Sequence, residues 1–214
     1  MRSSLVRHSV LLLLVATGAA AAQQISPAGN DALASWIIAP ASTGRERPFT
    51  DAIEHAIPGW RRDAIGNLIA RRGSGSPRRV IACALDRFSF FVSEIDDEGY
   101  LRLHDPMGNR PSPMWDQFHE GQRIRVETRR GPVPGVIGVK STHLQRRRPA
   151  DSSLASVEAS YVDVGARSRP DVASLGIAIL DPVSREWPQW AYAGHAAGPA
   201  AGARAGCAAV AAAA

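Results

Sequence analysis

A chain of 214 residues, 45% hydrophobic and 21% charged, has room for one ordinary domain or one and a half small ones. Its formal charge of +5 draws on 25 basic residues, of which only Lys140 is a lysine; arginines scattered among alanines and prolines point to coding bias, not to a phosphate-binding surface. The run Arg146-Arg147-Arg148 is capped by Pro149, lacks interleaved aromatics and reads as a solvated loop, so no nucleic-acid partner is expected.

In chain order, Arg2 and Arg7 precede the apolar run Val10 to Ala16, which ends in Ala20-Ala21-Ala22. A basic flank, a short apolar core and a small-residue cleavage site read as a secretory signal peptide over 1–22. An uncleaved anchor is the alternative, for which the run is short. The expectation is a secreted or periplasmic protein with no membrane attachment after cleavage. Asp31 to Ile38 and Pro48 to Ile57 read as helices, the second stopped by Pro58-Gly59. Trp60 to Asp63 and Leu68 to Ala70 flank the turn Gly66-Asn67 as a short hairpin. Val80-Ile81-Ala82-Cys83-Ala84-Leu85 is continuously apolar, the pattern of a strand buried on both faces of an α/β sheet.

From Phe88 the character changes. Phe88 to Ile95, Tyr100 to Leu103, Arg123 to Thr128, Val133 to Val139 and Tyr161 to Val164 read as short strands, with Asp96-Asp97-Glu98-Gly99 and Arg130-Gly131 as turns. The set predicts a small β-barrel. Ser168, Arg169, Pro170 and Asp171 start a helix that Gly176 ends. The closing segment is dominated by alanine and glycine, and Ala208 to Ala214 reads as a helix with little to pack. Cys83 and Cys207 are too few for a disulfide scaffold; two separate buried thiols are the simpler reading, pairing the other, and sequence gives no geometry to decide.

These segments resemble, in collinear order from about Leu33 to Val210, the glutamyl- and deblocking-aminopeptidase family: dizinc exopeptidases that form hollow tetrahedral particles and are also described as cellulase-like. Pro40-Ala41-Ser42-Thr43-Gly44-Arg45-Glu46 is similar to the family's Pro-x-Ser-Gly-x-Glu loop, with a departure at Thr43. Asp63-Ala64-Ile65-Gly66-Asn67-Leu68 matches its Asp-x-x-Gly-Asn-Leu hairpin. Glu120 to Ile124, Val133 to Gly138 and Tyr161 to Ser168 match its barrel, and Leu175 to Ile177 with Asp181 to Val183 match the return from it. The resemblance implies an α/β zinc-exopeptidase-like domain interrupted by an inserted β-barrel. Its parts would be 23–92, the barrel 93–184, and 185–214 as a truncated second part.

In active members two zinc or cobalt ions share a water that becomes hydroxide near neutral pH, which takes several His, Asp and Glu ligands and a carboxylate base. The first ligand falls in an Ala-His-x-Asp-Glu-x-Gly-Phe strand end, which aligns with Cys83-Ala84-Leu85-Asp86-Arg87-Phe88-Ser89-Phe90. Ala84 stands at the histidine, Asp86 alone is retained from that motif, and Arg87 replaces the next acid. A shifted register would offer a Cys83 thiolate but breaks the rest of the match. The segment Asp-Asp-Arg-Ala-Gly-Cys-Ala aligns with Gly202-Ala203-Arg204-Ala205-Gly206-Cys207-Ala208, so the bridging carboxylate is Gly202. The family's later Glu-Glu pair and final Asp and His would fall past Ala214. The histidines His55, His104, His119, His143 and His195 have no metal-ligand spacing; His143 is a weak substrate-side candidate by its place in a Pro-Pro-His-like loop. The expectation is an aminopeptidase-family chain with no metal, no catalytic residue and homo-oligomers through the barrel. The alternative is a fragment of an active zinc aminopeptidase that releases N-terminal residues.

Overall fold

A computed structural model describes residues 30–108, 116, 118–139, 156–186 and 188–213. The signal-peptide reading over 1–22, the arginine run at 146–148 and His143 lie outside these residues.

The first part is a small helical lobe. Helix α1 spans Asn30–Ile38 and α2 spans Arg47–Ala56, close to expectation. In α2 a proline in the first turn costs no hydrogen bond, because that N–H would be orphaned in any case. Phe49 and Ile53, one helical turn apart, point inward, and Phe49 meets Trp36 of α1 edge-on with ring centroids 5.3 Å apart. Strands β1 (Arg61–Arg62) and β2 (Leu68–Ile69) form the expected hairpin. Its turn explains the Asp-x-x-Gly-Asn motif: the Asp63 carboxylate accepts from the N–H of Ile65 (3.0 Å) and of Asn67 (2.9 Å) and from the Asn67 amide (2.9 Å), while Gly66 takes φ +97°. The Asn67 side-chain bond is the main cause holding Asp63 below the usual carboxylate range. Arg62 ties the hairpin to α2 through Thr50, Asp51 and Glu54.

The six apolar residues Val80 to Leu85 do not form a strand. They are irregular, with Val80 89% and Ile81 77% exposed. A strand is held by neighbouring strands, and among the described residues this segment has none; the only pairing nearby is an isolated parallel bridge between Ser42 and Arg87. The apolar run signalled a buried partner that these residues do not supply.

The middle of the chain closes into an antiparallel barrel. Strands β3 (Phe90–Ile95), β4 (Leu101–His104), β5 (Arg123–Thr128), β6 (Gly131–Gly138), β7 (Tyr161–Asp163) and β8 (Pro182–Arg185) run in the order β3-β4-β7-β6-β5-β8 and back to β3. Alternation decides the faces: in β5, Ile124 and Val126 are fully buried and Arg123 is exposed. Val92, Leu101, Val162 and Val183 fill the same interior, each worth about 1.5–3 kcal/mol of apolar transfer. Helix α3 (Arg169–Ser174) plugs one end with Val172. Ser168 caps it by accepting from the Asp171 N–H, and Gly176 at φ +82° follows its end.

After the barrel comes a hairpin the sequence reading did not separate, β9 (Trp190–Tyr192) with β10 (His195–Ala197). Helix α4 (Ala201–Ala213) then packs back on α1 and the helical lobe, burying Arg204, Cys207 and Ala211. No described helix is long and apolar enough to cross a membrane.

Candidate functional site

The two segments that align with the ligand motifs come together. Cys83 and Cys207, 124 residues apart in sequence, are joined by a disulfide with Cα atoms 5.4 Å apart, which overturns the reading of two separate thiols. The geometry that the sequence does not give is supplied by the fold, and of the two cysteines Cys83 sits on the exposed 80–84 stretch while Cys207 is buried. Cys207 Sγ also lies 3.3 Å from the Ala84 carbonyl oxygen. The two segments singled out by the resemblance in sequence are thus in contact in the fold.

Around this junction the side chains are as follows. Ala84 and Gly202 are both exposed and bring no donor atom. The Asp86 carboxylate accepts from the Thr43 hydroxyl at 2.9 Å, and the Arg87 carbonyl lies 3.4 Å from the same hydroxyl. The Arg87 N–H donates to the Ala41 carbonyl at 2.7 Å, so the 41–43 loop runs beside 86–87. The Gly44 N–H donates to Glu46 at 2.7 Å, and Arg45 reaches the buried Asp181 of the barrel end at 3.9 Å. Asp86 thus has its partner in Thr43, while Ala84 beside it brings no polar group.

Arg204 is the unusual member. It is 1% exposed, its guanidinium carbon lies 4.4 Å from the centre of the Phe49 ring, and one of its nitrogens reaches the Ala39 carbonyl at 3.4 Å. The other terminal nitrogen, Nη1, is buried with no hydrogen-bond partner. Burial pushes Arg204 down to about 10, the positive charge of Arg87 adds to the shift, and Asp86 opposes it. Arg87 is itself lowered by burial first and by Arg125 second, with Glu127 opposing. The sequence analysis assigns Arg204 no role; its place in a helix of small side chains, one turn from Cys207, is the available sign.

These groups do not match the donor set that two zinc ions require. Both sulfurs are spent on each other, positions 84 and 202 offer a methyl group and a hydrogen, and the Asp86 carboxylate is engaged by Thr43 among two guanidinium charges. Among the described residues no three His, Cys, Asp or Glu side chains gather as a metal-binding group. His55, His104 and His195 are exposed and dispersed, while His119 is buried edge-on against Phe90 at 5.0 Å.

The fold with its closed six-strand barrel is similar to solved TET aminopeptidases. The Pyrococcus horikoshii TET1 peptidase, described as assembling into a tetrahedron or a large octahedral shell, superposes with a TM-score of 0.70 at 27% identity over 82% of this chain and 52% of its own. A TET aminopeptidase from the marine sediment Thaumarchaeota archaeon SCGC AB-539-E09 gives 0.65 at 26% identity, over 75% and 45%. The model of the M42 glutamyl aminopeptidase family matches residues 66–214, and the chain belongs to that family, one of metal-dependent aminopeptidases. The lysyl aminopeptidase of Pyrococcus furiosus is 32% identical over 117 residues, 55% of this chain and 32% of its own length. FrvX of Escherichia coli K12, an aminopeptidase by name, is 30% identical over 125 residues, 58% and 33%. The chain spans about a third of the length of these curated relatives.

Proposed function

We propose that this chain is an M42-family protein without hydrolytic activity of its own, a remnant in which a covalent link ties the two segments that once carried metal ligands. The observation behind this reading is the junction: a disulfide, a methyl group, a glycine and two guanidinium groups occupy the neighbourhood where ligands belong by alignment. Without two held cations no shared water is activated, and Asp86 alone cannot replace them. The peptidase-type lobe interrupted by the barrel, export by the 1–22 segment and self-association through the barrel belong to the same proposal. The lobe-and-barrel build draws support from the family match and self-association from the assembling TET1 neighbour, while export rests on the basic, apolar and small-residue pattern of 1–22. The test is hydrolysis of aminoacyl-anilides with zinc or cobalt supplied: no turnover above the metal-only blank is expected, and turnover proportional to protein would overturn the reading.

A second reading has one observation in its favour, namely that the chain spans about a third of its curated relatives. In it, further polypeptide supplies the Glu-Glu pair and the later Asp and His, and the assembled protein is an active aminopeptidase. Even so, Ala84 and Gly202 would still have to be replaced as ligands. Hydrolysis of aminoacyl-anilides by an extended protein with Ala84 and Gly202 unchanged would support this second reading, and an extended protein with neither bound metal nor turnover would overturn it.

A further inference from the structure

We infer that the Cys83–Cys207 disulfide is a redox latch: closed, it holds helix α4 against the helical lobe, and a dithiol reductant opens it and releases the helix. The inference is independent of whether the chain binds metal, because it concerns what secures α4.

What secures α4 besides the disulfide is slight. Its sequence, AGARAGCAAVAAA, buries only Arg204, Cys207 and Ala211, so alanine methyls supply most of its apolar contact with α1. Its one large buried side chain opposes docking. The Arg204 guanidinium is taken out of water with Nη1 unpartnered, compensated by the Phe49 ring and one 3.4 Å bond. A helix with little apolar area and a poorly compensated buried charge belongs at the low end of local stability. The disulfide closes a span of 124 residues and so removes from the released state most of the freedom it would gain.

The two sulfurs are also unequally placed. Cys83 lies on the exposed stretch and Cys207 is 2% exposed. A reductant thiolate therefore attacks Cys83 Sγ and forms a mixed disulfide there. The electron pair of the old bond leaves on Cys207 Sγ, which takes a proton from water. The second thiol of the reductant then attacks the mixed disulfide, closes its own disulfide and expels Cys83 as thiolate, which is protonated in turn. Two electrons and two protons reach the protein, and α4 is left joined to it through the 198–200 backbone and its weak non-covalent contacts.

The test is amide hydrogen exchange on the full chain, oxidised and after dithiothreitol, with strands β4 to β6 as internal reference. Reduction should speed exchange in 201–213 by on the order of 100-fold while the barrel stays within about twofold. Cys83→Ser, which changes an exposed position and leaves Cys207 in the lobe, should show fast α4 exchange without reductant. Undiminished α4 protection in the reduced protein or in Cys83→Ser would overturn the latch. So would titration of two free thiols in the untreated native protein, or loss of barrel protection together with α4.

Discussion

Gly135 has no local reason to be glycine. It lies within β6 between Pro134 and Val136, where glycine weakens a strand, and its φ is not in the left-handed region. The reason is a neighbour. A Cβ built there would stand 2.8 Å from the Asp163 carbonyl oxygen, 3.0 Å from Ile124 Cδ1 and 3.1 Å from Val164 Cγ1. Two of these can yield by rotating a side chain, but the Asp163 oxygen belongs to β7, which pairs with β6. Relief to ordinary contact requires β6 and β7 to part by about half an ångström. Gly135→Ala should therefore cost about 1–3 kcal/mol by overpacking, offset by up to about 1 kcal/mol from the stiffer unfolded chain. The net loss of about 1–2 kcal/mol corresponds to a urea midpoint lower by about 0.5–1 M for a slope near 2 kcal/mol/M, read by far-UV circular dichroism. An unchanged or raised midpoint would refute the reasoning that the barrel is closed this tightly at Gly135.

Three other outcomes follow from the same coordinates. Gly202 is a helix position with nothing within 4 Å of a built Cβ, so Gly202→Ala should strengthen α4 by about 0.5–1 kcal/mol, measured as slower amide exchange in 201–213; faster exchange would mean the position is crowded. Arg204→Met should leave the protein as stable or more stable at pH 7, since a guanidinium lowered by burial to about 10 withholds on the order of 3 kcal/mol, against about 1 kcal/mol of lost contact with Phe49. The sign with pH is fixed: above about pH 10 the unfolded chain holds this proton more tightly than the folded one, so wild-type stability should rise with pH relative to Arg204→Met, and a falling difference would contradict it. Limited proteolysis should leave a barrel core that retains Phe90 and Arg185, because β3 and β8 close the cylinder; cutting inside Phe90–Ile95 without loss of the rest would argue against closure.

Much of the barrel was legible because alternation over six residues is a property of one strand: Ile124 and Val126 against Arg123 needed no partner to be read. The Asp63 to Asn67 turn was legible for the same reason, its hydrogen bonds all falling within five residues. Val80 to Leu85 misled because an apolar run reports a demand for burial, and the neighbours that would meet the demand are a matter of the rest of the sheet. The Cys83–Cys207 link is a relation across 124 residues, beyond any local pattern. The family resemblance singled out Ala84 and Gly202, yet the contacts beside them, Thr43 on Asp86 and Arg204 on Phe49, join four separate segments and became visible only when folded together.

The central proposal is that the junction of 83–87 with α4 binds no metal pair. Elemental analysis of the purified full chain, after exposure to zinc or cobalt and removal of the excess, tests it most directly. The account predicts well under one ion per chain; about two per chain, lost on changing Asp86, would contradict it.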